Sequence, residues 1–268
     1  MRIADSVIVV TGAGSGIGAG LARRFVAEGA AAVEMVDRRI GPARQIAAEL
    51  GPAAHASAVD VSDEQAVAGL VARVLARHGR IDLFCSNAGL TTGVALESGS
   101  QADKAWERAW SVHVLAHVYA ARAVVPAMIK AGGGYLLNTA SAAGLLTSPG
   151  DAPYAVTKHA AVAFAEWLAV EYAAHNIKVS VLCPMGVDTP LLMEPLAQGN
   201  EGAKAVAASG PIIGVAEVAD AVMRAVTSES FLVLPHPEVG SFWAAKAADV
   251  DGWLSGMSRM YQRSRGSD

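Results

Sequence analysis

The sequence predicts an α/β fold in which helices cover both faces of a doubly wound parallel sheet. Three observations carry this reading. Short apolar runs alternate with amphipathic ones from the first residues onward. Those short runs are apolar on both faces, as strands covered on two sides must be. Their repetition as strand–helix units demands crossover connections, and hence parallel strands. No linker, internal repeat or low-complexity tract divides the chain, so residues 1–268 are expected to form a single domain.

Each element has its own signal. Val7–Thr11 is a β-branched run, broken by Gly12 to Gly18, after which Ile17–Glu28 is amphipathic at helical spacing. Ala31–Val36 reads as the second strand and Pro42–Leu50 as the second helix. Ala54–Val59 is strand-like, and Asp63–His78 is helical with Asp63 and Glu64 at its start, where the helix dipole favours acids. Ile81–Cys85 is the fourth strand. Gln101–Ala131 is a long helical pattern with a bend expected near Pro126. Tyr135–Thr139, Pro153–Ala174 and Ile177–Leu182 continue as strand, helix and strand. Val215–Thr227 is helical and Phe231–Leu234 is strand-like. The tail, Val239–Gln262, carries apolar residues at helical spacing. Asp188–Gly214 is the least regular stretch, rich in Pro and Gly; a connection of that length is expected to be a substrate lid.

Composition excludes several classes. A hydrophobic fraction of 53% with 17% charged residues is incompatible with disorder. A net charge of −4 argues against nucleic acid as the main partner. Charge or glycine interrupts the apolar stretches before they reach the roughly 18 residues of a membrane-spanning helix. Asp5 and the short run after it argue against a signal peptide. Two cysteines, Cys85 and Cys183, make no disulfide framework, so a reducing, cytoplasmic setting is expected.

Thr11-Gly12-Ala13-Gly14-Ser15-Gly16-Ile17-Gly18 follows the first strand and opens a helix. Glycines there let the backbone approach a pyrophosphate, and the free N–H groups of the helix start favour the anion. Asp37, about twenty residues on, is placed to accept hydrogen bonds from the adenosine ribose. It would repel a 2′-phosphate by roughly 4 kcal/mol at about 4 Å and an effective dielectric of about 20. Arg38 and Arg39 offset part of that repulsion. NAD is therefore expected over NADP.

Tyr154 and Lys158 are four apart on a predicted helix and share a face, with Pro153 in its first turn. A free phenol near pKa 10 is too weak an acid for ready exchange at neutral pH, and a nearby cation favours the phenolate. Making it a thousandfold more acidic takes about 4 kcal/mol, expected from Lys158 together with a cationic nicotinamide. Ser141 ends the preceding strand, at the sheet edge where ligands bind in such folds.

With these pieces the chain resembles the short-chain dehydrogenase/reductase family, from Val7 to about Leu234. The matching segments are the glycine string, Asp60-Val61, Asn87-Ala88-Gly89, Ser141, Tyr154-x-x-x-Lys158 and Cys183-Pro184-Met185-Gly186-Val187-Asp188-Thr189. The resemblance implies a Rossmann-type sheet of about seven strands and a nicotinamide cofactor. It implies Tyr154 as general acid/base, Ser141 as the residue orienting the carbonyl or alcohol, and Lys158 on the nicotinamide ribose. It also implies Asp60 and Val61 near adenine, Asn87 beside the central sheet, and Val187 and Thr189 on the carboxamide. Gly12, Ser15, Gly16, Ile17, Gly18, Asp37, Arg38, Ala88, Gly89, Pro184 and Gly186 complete the expected cofactor site. A homodimer or homotetramer built through the long helices is implied as well.

Two departures from the family stand out. His113 occupies the place of the relay asparagine; it is expected to bond a water or the backbone with a pKa nearer neutrality. Met185 intervenes between Pro184 and Gly186. His113 and His117 have a metal-compatible spacing but no third ligand nearby in sequence, so packing is the expected role and no metal is expected. Cys183 has no adjacent base to make it a nucleophile. Leu145, Leu146, Met185, Leu191, Leu192, Met193 and Leu196 suggest an apolar, uncharged pocket. The expected activity is thus oxidation of a hydrophobic secondary alcohol, or reduction of its ketone. An NADPH-linked carbonyl reductase and a non-catalytic NAD-binding module are the competing readings; the intact Ser141, Tyr154 and Lys158 oppose the second. The tail's apolar face, with Arg259, Arg263 and Arg265 near its end, is expected to pack on its own domain or a neighbouring subunit rather than on a membrane surface.

Overall fold

The computed structural model describes residues 1–94, 96 and 99–265. Seven parallel strands form one sheet in the order β3-β2-β1-β4-β5-β6-β7. They are β1 (Val7–Thr11), β2 (Ala32–Asp37), β3 (Ala54–Ala58), β4 (Leu83–Ser86), β5 (Gly134–Thr139), β6 (Ile177–Leu182) and β7 (Leu232–Val233). This is the doubly wound, Rossmann-type arrangement expected from the sequence. Strand order reverses between β1 and β4, where such folds bind ligands at the carboxyl ends of the strands.

Side-chain alternation along β1 divides the core. Val7 and Val9 face the layer of α3 (Glu64–His78), α5 (Ala116–Lys130) and α6 (Ala152–Glu171). Ile8 and Val10 face the layer of α1 (Gly16–Ala27), α2 (Ile40–Leu50) and α9 (Val215–Ser228). Both sets are buried, so neither face of the strand is free to be polar.

Three parts differ from expectation. The long helix is α4 (Ser100–Trp110), a π-helical turn over Ser111–Leu115, then α5, so the departure from regular α-helix precedes Pro126. The combined Ser100–Lys130 helix is long and apolar enough to cross a membrane, contrary to the sequence reading. Half of its apolar window is buried inside the fold, with Val124 and Met128 packed in the core, which accounts for its composition.

The segment expected to be irregular contains α7 (Pro190–Ala197) and α8 (Glu201–Ser209). Pro190 occupies the first turn of α7, where its missing N–H costs nothing, and Asn200 caps α8 through Ala203 N–H. The prolines and glycines there punctuate helices rather than prevent them. The tail is two helices, α10 (Glu238–Ala248) and α11 (Val250–Arg265), divided at Asp249. The Asp249 carboxylate accepts from Gly252 N–H at 2.9 Å, which starts a new helix.

Candidate active site

One continuous cavity of about 1360 Å³ opens at the carboxyl edge of the sheet. At one end lies the glycine turn. Gly12 has a φ of +67°, and a Cβ there would meet Ala88 Cα at 2.9 Å. A Cβ on Gly18 would meet the Gly12 carbonyl oxygen at 2.3 Å, so the turn closes this tightly only with glycine at both places. Ser15 makes no side-chain cap to α1, whereas Asp63 caps α3 and Asp151 caps α6. The α1 start, with Gly16 and Ile17 on the cavity wall, is a cradle shaped for an anion.

Asp37 closes this end. Its carboxylate accepts from Gly14 N–H at 3.0 Å and from Arg39 N–H at 2.9 Å. Arg38, Asp60 and Val61 line the wall next to it. The Ser62 hydroxyl and N–H both donate to Asp60, at 2.6 and 3.0 Å. The hydroxyl bond leads the causes that hold this carboxyl below its ordinary range, with Arg38 and Arg108 adding smaller attraction.

Asn87 joins strand ends. Its side-chain amide donates to the Thr11 carbonyl at 3.0 Å, and its amide oxygen accepts from the Thr139 hydroxyl at 3.2 Å. Ala88 N–H donates to the Thr11 hydroxyl at 3.1 Å.

At the far end, Ser141, Tyr154 and Lys158 share the wall with Gly89, Pro184, Val187 and Thr189. The Ser141 hydroxyl accepts from Ala143 N–H at 3.1 Å. Lys158 is 3% exposed; its ammonium donates to the Thr139 carbonyl at 3.0 Å and lies 5.6 Å from the Tyr154 ring centre. Burial lowers the Lys158 pKa to about 8. The same burial pushes the Tyr154 phenol up, and a hydrogen bond with Ser141 opposes the shift. The expected acidification needs a cationic nicotinamide beside Lys158 as well as Lys158 itself.

His113, expected near the proton path, does not line the cavity among the described residues. It is fully buried, edge-on to Tyr154 at 5.5 Å between ring centres. Leu90 N–H donates to its Nε2 at 3.1 Å, which assigns the proton to Nδ1, 2.8 Å from the Thr157 hydroxyl. Thr157 in turn donates to the Pro153 carbonyl at 2.6 Å. Burial, then the charge of Lys158, holds the His113 pKa well below its ordinary value rather than near neutrality. His113 thus ties the loop after β4 to the helix of Tyr154. Gly18 and Gly186 likewise stand behind the cavity wall.

Three contributors escaped the sequence reading. Asp151 accepts from Thr92 N–H, Gly93 N–H and Tyr154 N–H at 2.8, 2.9 and 3.1 Å, and from the Thr92 hydroxyl at 2.5 Å. An acid two residues before Pro153 was the available helix-start signal. His236 accepts from Met185 N–H at 3.2 Å and donates to the Gly186 carbonyl at 3.0 Å, pinning the base of the α7–α8 segment. No local pattern announces it. The tail also reaches the cavity, through Phe242, Trp253, Gly256, Met257 and Met260. Of the two packings expected for the tail, on its own domain or on a neighbouring subunit, Phe242 and Trp253 make the first. The side chain of Arg265 lies outside the described residues.

The family model for short chain dehydrogenase matches residues 6–200. The chain is 34% identical over 242 residues to 1-deoxy-11-beta-hydroxypentalenate dehydrogenase of Streptomyces avermitilis, covering 89% of this chain and 87% of that one. Among solved structures, a short chain dehydrogenase/reductase from Burkholderia phymatum in complex with NAD superposes with a TM-score of 0.84 at 25% identity, covering 94% and 96% of the two chains. A short chain dehydrogenase from Burkholderia cenocepacia J2315 in complex with NADP gives 0.80 at 25% identity, covering 96% and 99%. The chain belongs to the short-chain dehydrogenase family. It is an NAD(P)-dependent oxidoreductase of the alcohol dehydrogenase and ketoreductase type.

Proposed function

We propose that this enzyme interconverts a hydrophobic secondary alcohol and its ketone with NAD, using Tyr154 as general acid/base. The observation that carries the reading is the meeting of Ser141, Tyr154 and Lys158 on one cavity wall with the glycine cradle at the other end. The cavity exceeds the roughly 300–1,000 Å³ of a typical single-ligand pocket, leaving room for a dinucleotide and a substrate together.

Gly12, Gly16 and Ile17 would hold the pyrophosphate, Asp37 the adenosine ribose and Lys158 the nicotinamide ribose. An oxidised nicotinamide, when bound, would supply the hydride acceptor and a positive charge. Ser141 holds the substrate oxygen. Tyr154 takes the proton from the alcohol, or returns it to the ketone. Asp151 and His113 keep the Tyr154 helix in register with the loop after β4.

Asp37 supports NAD; an NADPH-linked reductase is the second reading, favoured by Arg38 and Arg39 on the same wall. Leu146, Met185, Leu191 and Leu192 on the cavity wall, beside Glu194 and Gln198, and the hydroxypentalenate dehydrogenase relative support a hydrophobic substrate; Leu145, Met193 and Leu196 stand off that wall. Free, buried Cys85 and Cys183 suit a reducing cytoplasm. Exposed Trp110, Val156, Trp167 and Val170 on α4 and α6 suit a homodimer or homotetramer.

Tyr154→Phe tests the chemistry. It is expected to cut kcat about 10²–10⁴-fold while NAD binding, followed by fluorescence, is retained. Unchanged turnover would remove Tyr154 from the proton step.

A further inference from the structure

The backbone between Pro184 and Gly186 meets Ser141 on one side and a buried imidazole on the other. The Pro184 carbonyl accepts from Ala142 N–H at 2.8 Å and from the Ser141 hydroxyl at 3.4 Å. The N–H of that same peptide unit, carried by Met185, donates to Nδ1 of His236 at 3.2 Å. A peptide unit is planar and stiff, so its carbonyl and its N–H turn together. Resting on the proposed function, we infer that His236 is a positioning residue for the reaction: it holds the Pro184–Met185 peptide in the orientation that keeps the Ser141 hydroxyl aimed at the substrate oxygen.

The imidazole is itself firmly held. His236 is 1% exposed and stands between Pro235 and Pro237, whose rings fix the backbone on either side of it. Because Nδ1 accepts, the ring proton lies on Nε2. Nε2 donates to the Gly186 carbonyl at 3.0 Å, with the Pro211 carbonyl at 3.3 Å. One ring thus grips the peptide units on both sides of Met185–Gly186, where Met185 separates Pro184 from the glycine. The Gly186 carbonyl also accepts from Ile213 N–H at 3.0 Å, and Asp188 N–H donates to the Ile213 carbonyl at 2.9 Å. The outgoing and returning arms of the α7–α8 segment therefore close at this histidine.

The Ser141 side of the peptide is suited to being directed in this way. Its contact with the Pro184 carbonyl is longer than an ordinary O–H···O bond, so it orients the hydroxyl without retaining it. A substrate oxygen at normal distance takes the proton over. Ala143 N–H donates to the same hydroxyl oxygen at 3.1 Å and fixes it from behind, and Tyr154 bonds it from the cavity side. Without the ring, Met185 N–H loses its acceptor, and the peptide turns to recover one. The Pro184 carbonyl then leaves Ser141.

A double-mutant cycle in the full-length enzyme tests this, with NAD and whichever of cyclohexanol and a 3β-hydroxysteroid the wild type oxidises faster. His236→Leu removes both ring bonds and is expected to lower kcat about 10- to 100-fold, the loss that a misplaced reacting group causes. Equal falls in kcat and kcat/KM are expected, because the loss is felt in the transition state. In a Ser141→Ala background the same change is expected to lower kcat little further, since residues that act through one another are not additive. His236→Asn keeps an acceptor near the Nδ1 position and is expected to restore most of kcat; His236→Gln keeps only the donor near Nε2 and is not. Circular dichroism and NAD titration check that each variant is folded and loaded, and the Asn and Gln variants decide if the Leu variant does not fold. Wild-type kcat in folded His236→Leu, equal kcat in the Asn and Gln variants, or full additivity with Ser141→Ala overturns the positioning role and leaves the proposed function standing. A wild type that oxidises neither alcohol with NAD overturns the proposed function, and the positioning role with it.

Discussion

Burying two imidazoles one helical turn apart makes stability depend on pH. His117 is 2% exposed, and neither of its nitrogens has a hydrogen-bond partner. Burial, with Lys158 adding like charge, lowers its pKa from 6.5 to about 3. The unfolded chain then takes up a proton first as pH falls below 6.5, so stability is lost between about pH 6.5 and pH 3. One such group contributes about 1.4 kcal/mol per pH unit. His113, also buried and held neutral, adds to the slope. His117→Leu is expected to flatten urea-measured stability between pH 6.5 and 4.5 by about 1 kcal/mol per pH unit. An unaltered slope would show that His117 is already protonated in the native state. The histidine spacing was legible in the sequence; the neutrality of both rings was not, because the residues that bury them, Thr157 for His113 and Val67, Leu70 and Phe84 for His117, are distant in the chain.

At the scale of elements, side chains close some helix starts and leave others, α1, α2, α4 and α7 among them, uncapped. Asp63, Asp151 and Asn200 satisfy the N–H groups of their helices, whereas α1 keeps its start open toward the cavity. Asp151 does more than cap α6, since it also holds Thr92 and Gly93 of the loop after β4. Asp151→Ala is expected to cost about 2–3 kcal/mol, combining a lost cap with buried donors left unpaired. Because that carboxylate fixes Tyr154 N–H, kcat should fall as well, and both losses are read from urea unfolding and steady-state kinetics. A stable, fully active variant would show that Pro153 and the neighbouring turns suffice. The strands and principal helices were legible because period and turn residues are local properties. The π-helical turn at Ser111–Leu115 and the helices inside residues 188–214 were not, since packing against the cavity rim selects them.

For the whole molecule, ligand linkage discriminates between cofactors. A ligand at a hundred times its Kd stabilises the native state by about 2.7 kcal/mol, which for a chain of this size is roughly 5–10 °C in Tm. NAD is expected to give that shift and NADP a much smaller one at equal concentration, because the Asp37 carboxylate lines the cavity beside the glycine turn, where it would repel a 2′-phosphate. A larger shift with NADP would favour the NADPH-linked reading. The same thermal scans at two protein concentrations test the oligomer, whose Tm rises with concentration while a monomer's does not.

Sequence alone determined the order of strands and helices, the parallel sheet, the glycine cradle with Asp37 and the pairing of Tyr154 with Lys158. Each is written in spacing, composition or motif within a few residues. Folding decided what faces what. It sealed His113 behind Tyr154, edge-on to the ring and away from the cavity wall. It also set α11 against the mouth of the cavity. Those outcomes depend on desolvation and on contacts between segments distant in the chain, which no local pattern encodes.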